Sequence, residues 1–249
     1  MRPVLAISPH LDDAVFSAGG TLARHAMNGD EVVVLTCFTG NVPRPEGFAL
    51  ACQLDKGLPP DVDYMALRRT EDRAACEAID ARALHLPFLE APHRGYANAA
   101  DLFGGRRAED EPLVGELAAA VAQHIERIAP SIVYGPLGVG DHVDHHVVRD
   151  AVSAAVGSAA IRWWEDFPYA MKDIEPAEAI IRHPLDPASA AAKLRAVLCY
   201  TTQLGFQFGS AERAAAILAQ WTQEGFACES TMDSMSHDRT PRKPQDTRS

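Results

Sequence analysis

The chain has 249 residues, 47% of them apolar and 23% charged, with a formal net charge of −11. That composition is ordinary for a globular protein with one large core. The acidic balance argues against nucleic acid or an anionic membrane surface as partner, because both demand basic patches. The five cysteines (Cys37, Cys52, Cys76, Cys199 and Cys228) are scattered, odd in number and without a Cys-x-x-Cys pair. They read as reduced thiols. The apolar run after Met1-Arg2-Pro3 is too short for a secretory core or a membrane span. A cytoplasmic protein is the expectation.

In chain order, β-branched runs alternate with Ala-rich segments, the pattern of βαβ units. A strand is predicted over 4–8 and a helix over 16–27, closed by Asn28-Gly29. Residues 31–38 predict a buried strand, 63–79 a helix and 83–88 a further strand. A helix over 112–128 carries proline in its first turn. The strand at 131–134, the helix at 142–156 and an aromatic-rich strand at 161–167 follow. Beyond Pro168 the pattern predicts a short strand near 179–183 and helices over 187–198 and 210–224. Residues 234–249 have almost no apolar side chains and predict a disordered tail after a single domain over 1–233. The fold class implied is α/β, a Rossmann-like, doubly wound, mostly parallel sheet with helices on both faces.

Two connections, 39–60 and 90–111, are long and each follows a strand. Long loops in a compact domain tend to be functional. In a parallel sheet they emerge at the same edge as two clusters dense in His and Asp. One reads Ser8-Pro9-His10-Leu11-Asp12-Asp13 and the other Asp141-His142-Val143-Asp144-His145. Ligands of open α/β sheets bind at that carboxyl edge.

Imidazole nitrogen and carboxylate oxygen suit a catalytic zinc that keeps three protein ligands and one position for water. His10, Asp13 and His145 supply that count. Asp12, beside them, is the candidate base for amide hydrolysis. His142, held as an imidazolium by Asp144, is the candidate oxyanion donor. Helix capping is the plainer reading of Asp12 and Asp13. The coincidence of both clusters at strand ends favours the metal. His146 reads as helix surface or metal-site support, and His25, His85, His124 and His183 as structural. Trp163 and Trp164 read as core. No dinucleotide fingerprint, Walker loop or Gly-x-Ser-x-Gly elbow is present.

Pro9-His10-Leu11-Asp12-Asp13 resembles the Pro-His-Pro-Asp-Asp-Glu signature of the PIG-L/LmbE-like zinc deacetylases, which act on N-acetylglucosaminyl compounds. His142 to His145 matches the second signature, His-x-Asp-His. The stretches around Tyr134 to His145, Trp164 to Ala170 and Tyr200 to Gln203 look like a bacterial branch. The resemblance implies His10, Asp13 and His145 as zinc ligands, Asp12 as general base and His142 as stabiliser of the tetrahedral intermediate. It implies Arg68 as a substrate-binding residue, against an exposed Arg68–Glu71 helical pair as the bland reading. Leu11 and Ala14 depart from the signature. His93-Arg94 and Gly140 stand where some relatives carry a substrate-facing aspartate and tyrosine.

The function expected is removal of an N-acetyl group from an amino sugar or glycoconjugate by one divalent ion per chain, zinc or else ferrous iron. An amidase of the same mechanism on a sugar-thiol conjugate or larger acyl amide is the alternative. A carbohydrate-binding protein without turnover is the rival of another class.

Overall fold

The computed structural model describes residues 2–157, 160–172 and 179–228; the predicted tail 234–249 lies outside them. The described chain runs through β1 (Pro3–Ser8), α1 (Asp13–Met27), β2 (Glu31–Thr36), α2 (Gly47–Leu54), α3 (Tyr64–Ala78) and β3 (Ala81–His85). It continues through α4 (Ala99–Leu102), α5 (Glu111–Ile128), β4 (Ile132–Pro136), α6 (Val143–Ala155) and β5 (Ala160–Trp164). The last elements are β6 (Ile181–Pro184), α7 (Pro187–Val197), α8 (Thr201–Phe208), α9 (Ala211–Gln220) and β7 (Gln223–Cys228).

One sheet of order β3-β2-β1-β4-β5-β7-β6 holds these strands. The first five are parallel, whereas β7 is antiparallel to both β5 and β6. Alternation along the strands divides the core. Val4 and Ala6 of β1 face α1, α3, α7, α8 and α9, while Leu5 and Ile7 face α5 and α6. Both faces are covered, which is why β1 and β2 are apolar at every inner position rather than at every second one. Trp163 and Trp164 occupy opposite halves of the core and are fully buried.

The chain winds from β1 outward to β2 and β3, then returns to place β4 on the other side of β1. That reversal opens a crevice at the carboxyl ends of β1 and β4, the position where such sheets bind ligands. Both clusters of His and Asp follow these two strands.

Several boundaries differ from the sequence pattern. The first helix begins at Asp13, three residues before the predicted start at 16, and the third strand lies at Ala81–His85 rather than over 83–88. The two long loops contain α2 and α4. The segment predicted as one helix over 210–224 ends at Gln220 and turns into β7. Glu224 resembles a solvated helix position in the sequence. It is instead buried, paired with the Lys193 ammonium at 2.8 Å and accepting the Gly20 and Thr21 N–H groups. Strand β7 exists through tertiary pairing. α8 has no separate periodic signal, and its start is fixed by Glu71, which accepts from the Thr201 and Thr202 hydroxyls and the Thr202 N–H.

Candidate metal centre and active site

The turn leaving β1 is pinned by Ser8, whose hydroxyl donates to the His10 carbonyl and accepts the Ala14 N–H. It delivers His10, Asp12 and Asp13 into the crevice. The turn leaving β4 ends in a helix whose N-cap is His142; its Nδ1 accepts the Asp144 N–H at 3.2 Å. From the first turn of α6, Asp144 and His145 reach back toward β1.

Asp13 Oδ2 lies 3.0 Å from His10 Nδ1 and 3.3 Å from His145 Nε2. One donor atom from each of the three residues falls within 4.8 Å of the others. Tetrahedral ligands about 2.0–2.1 Å from zinc stand about 3.3 Å apart. His145 Nε2 is buried with no hydrogen-bond partner. A buried ring nitrogen left so costs free energy unless something fills the place, and a divalent cation fits this donor set.

The far nitrogens explain the orientation of both rings. His10 Nε2 lies 2.9 Å from Asp144 Oδ2, and His145 Nδ1 lies 2.8 Å from Asp166 Oδ1. Each ring donates its remote N–H to a buried carboxylate and turns its other nitrogen inward, as metal-ligating histidines do. Asp166, just past β5, also accepts the Gly138 and Val139 N–H groups through Oδ2 and the Trp164 indole through Oδ1. Arg94 places its guanidinium 2.8 Å from Asp144 Oδ1 and from Asp110 Oδ2. It backs the carboxylate that meets the His10 ring.

This geometry corrects one expectation. Asp144 does not hold the His142 ring as an imidazolium: its carboxylate is engaged by His10, Arg94 and the Ala91 N–H, and only its backbone N–H meets His142. Burial, reinforced by the neighbouring His10, lowers the His142 pKa to about 3. With Nδ1 accepting, the neutral ring carries its proton on Nε2.

Asp12 is buried but makes no capping hydrogen bond. Burial and the Asp13 charge raise its carboxyl to about 7, against the pull of Arg68. Arg68 has its guanidinium 3.7 Å from Asp12 and pairs with Glu90. It is 5% exposed, so the surface-pair reading with Glu71 does not hold. The adjacent Arg69 turns away from Asp12 and donates to the Thr39 carbonyl.

A cavity of about 500 Å³ opens over His10, Asp12, Asp13 and His142. Both long loops line it, with Phe48 from α2, and Pro92, His93 and Phe103 around α4. Arg68, Gln203 and Phe206 complete the far wall. Among the remaining histidines, His146 is paired with Asp141, His25 with Asp30 and Tyr134, and His85 with Asp72. Asp166 and Glu90 are neighbours of the cluster that the residue pattern did not single out, and Arg94, noted only as a departure from relatives, pairs with Asp144. The stretch Trp164-Glu165-Asp166 carried the signal for the first.

A family model described as PIG-L, GlcNAc-PI de-N-acetylase, matches residues 5–156. The chain is 33% identical over 182 residues to 2'-N-acetylparomamine deacetylase of Streptomyces fradiae, covering 72% of this chain and 62% of that protein. It is 31% identical over 175 residues to 1D-myo-inositol 2-acetamido-2-deoxy-alpha-D-glucopyranoside deacetylase of Corynebacterium glutamicum strain R, covering 64% of this chain and 54% of the other. The chain spans less than two thirds of these curated relatives. Among solved structures, a deacetylase in the biosynthesis pathway of teicoplanin is 30% identical with a TM-score of 0.80, covering 91% of this chain and 97% of that one. The zinc-inhibited form of teicoplanin deacetylase Orf2 is 29% identical with a TM-score of 0.78 and the same coverage. The family match extends over more than half of the sequence and includes both His/Asp clusters, and the chain belongs to the PIG-L family.

Proposed function

We propose that the protein is a zinc-dependent hydrolase that removes an N-acetyl group from an amino sugar or glycoconjugate. The observation that carries this reading is the convergence of Asp13 Oδ2, His10 Nδ1 and His145 Nε2 beside the buried carboxyl of Asp12. The names of the relatives, deacetylases of acetylparomamine, of an acetamido-glucopyranoside of inositol and of the teicoplanin pathway, support the substrate class.

His10, Asp13 and His145 would hold the ion. Bound there, it supplies Lewis acidity and a water of lowered pKa. Asp12 accepts the proton of the attacking water and returns it to the departing nitrogen, so that R-NH-CO-CH3 and water become R-NH2 and acetic acid. A carboxyl raised to about 7 is suited to give and take a proton near neutrality. Arg68 restrains Asp12 and borders the substrate cavity. The His142 Nε2–H acts as a neutral donor to the developing oxyanion.

The breadth of the cavity favours a glycoconjugate over a bare hexosamine. Phe103 and Phe206 are 41% and 58% exposed on its wall, where apolar parts of a larger substrate would cover them. Asp12 beside the triad speaks against a binding protein without turnover. The free thiols Cys37, Cys52, Cys76 and Cys199 support a cytoplasmic location.

The test is amine release from N-acetylated amino sugars, aminoglycosides and aryl glycosides, with zinc or ferrous iron loaded stoichiometrically and a chelated control. Because one solved relative is described in a zinc-inhibited form, the zinc titration extends past equivalence. Metal-dependent release supports the reading. Silence with metal bound, together with sugar affinity, overturns it in favour of a binding protein.

A further inference from the structure

The far wall of the cavity carries a cation that the proposed hydrolysis does not use. Lys56 lies just past the end of α2, in the long loop 39–60, and lines the cavity with Tyr64, Arg68 and Phe206. The Tyr64 ring links it to the site: the Arg68 guanidinium and the Lys56 ammonium stand 5.4 Å and 5.6 Å from the centre of that ring. Gln203 Nε2 donates to the Tyr64 hydroxyl at 2.9 Å and ties α3 to α8. Arg68 is in turn 3.7 Å from Asp12. Lys56 therefore stands one aromatic ring beyond the arginine that borders Asp12.

The ammonium is held but not neutralised. It lies 4.3 Å from the centre of the Phe206 ring and donates to the Cys52 carbonyl at 2.9 Å, one turn back in α2. An ammonium has three N–H donors, and no carboxylate oxygen lies within 4.0 Å of this one among the described residues. The nearby carboxylates are committed elsewhere: Glu90 pairs with Arg68, and Asp63 accepts the Ala66 N–H at the start of α3. Asp55 and Asp61 also line the cavity, exposed to solvent and outside ion-pair reach. Burial lowers the Lys56 pKa, and Arg68 lowers it further. Two cations share this wall, and only the inner one is paired.

We propose that Lys56 is a specificity-determining residue that binds a carboxylate on the aglycone of the glycoconjugate, with the Phe206 ring covering the apolar group that bears it. Phe206 is 58% exposed beside the ammonium, which leaves one wall both charged and apolar. A single negative charge suits the place. The carbonyls at the end of α2 disfavour a doubly charged phosphate more than a carboxylate. Phosphate sites also draw on helix N-termini or bidentate guanidinium groups, and Arg68 is engaged by Glu90 and Asp12. A helix cap alone explains the bond to Cys52 but not the second and third N–H donors. This assignment rests on the deacetylase reading for what the substrate is.

The experiment uses the 4-carboxyphenyl, 4-carbamoylphenyl and 4-phosphonooxyphenyl glycosides of N-acetylglucosamine with the metal-loaded full chain. Amine release gives KM and kcat, and calorimetry gives the affinity of the corresponding glucosaminides. Wild type is expected to favour the carboxylate over the carboxamide by about 10-fold or more in KM and affinity, with similar kcat. Lys56→Met should bring that ratio within about two-fold, Lys56→Arg should keep most of it, and Lys56→Glu should invert it.

A ratio near one in wild type, or one that survives Lys56→Met, would overturn the assignment. Equal weakening of both glycosides in Lys56→Met, with a lowered Tm, would overturn it in favour of a helix cap alone. Preference for the phosphate over the carboxylate would overturn the choice of acid. A carboxylate preference in binding that Lys56→Met abolishes, without amine release from any glycoside, would support the Lys56 site and refute the deacetylase reading instead.

Discussion

Asp166 Oδ1 lies 2.8 Å from His145 Nδ1, and that bond joins the end of β5 to the first turn of α6. It selects the tautomer that leaves Nε2 free toward Asp13. Carboxylates in this relation to a ligating histidine are worth about 10–100-fold in metal affinity. Asp166→Ala is expected to weaken zinc binding by that factor, read by competition with a chromophoric chelator. Wild-type affinity in the variant would show that packing alone orients the ring.

Asp12 and Asp13 are adjacent in sequence, and the proposed function gives them separate tasks. Asp12→Ala should retain stoichiometric metal and lose about 10²–10⁴-fold in turnover. Asp13→Ala should lose the ion itself. Metal analysis of both purified variants checks this, and equal metal loss in the two would refute the division.

Metal uptake should depend on pH with a definite sign. Burial opposes a charge on His145, but the carboxylates of Asp13 and Asp166 outweigh it and raise the ring to about 10. At neutral pH the metal-free ring is protonated, and an ion must displace that proton to bind. Affinity should therefore rise with pH up to that value and fall on acidification. Calorimetric titration at pH 7 in buffers of different ionisation enthalpy should register release of roughly one proton or more per ion; heats independent of the buffer would contradict it.

Lys193 and Glu224 form an ion pair that is 2% and 0% exposed. Lys193→Met leaves a buried carboxylate with only the Gly20 and Thr21 N–H groups. Breaking a buried pair from one side costs about 3–5 kcal/mol. Urea unfolding should show a loss of that size, with metal stoichiometry below the transition unchanged. A loss under 1 kcal/mol would mean that the backbone donors suffice, since about that much is the scale of an exposed pair.

The sequence by itself determined the parallel half of the sheet and brought out the residues proposed to hold the metal. Val4 to Ile7 and Val32 to Leu35 are continuous apolar runs because both faces are covered, a demand that burial writes directly into residue type. His10, Asp13 and His145 were legible for a similar reason: few other constraints concentrate imidazole and carboxylate at two strand ends. The burial of Arg68 beside Asp12 and Glu90 has no signal in the residue pattern, since a helical Arg followed three residues later by Glu is otherwise a common surface pair.

What tertiary structure decided are relations between residues distant in the chain. Glu224 reads as a solvated helix position until Lys193 and the N–H groups of α1 neutralise its burial, and only then is β7 a strand. Asp144 reads as the partner of its neighbour His142, yet the α6 first turn aims its carboxylate at His10, 134 residues earlier. Tyr169 packs on Gly140, yet the two show no pattern between them; their packing appears only when β4 and β5 lie side by side. Local pattern records which groups a residue must avoid or bury, whereas the partner of a buried charge or ring is chosen by the geometry of strands brought together across the chain.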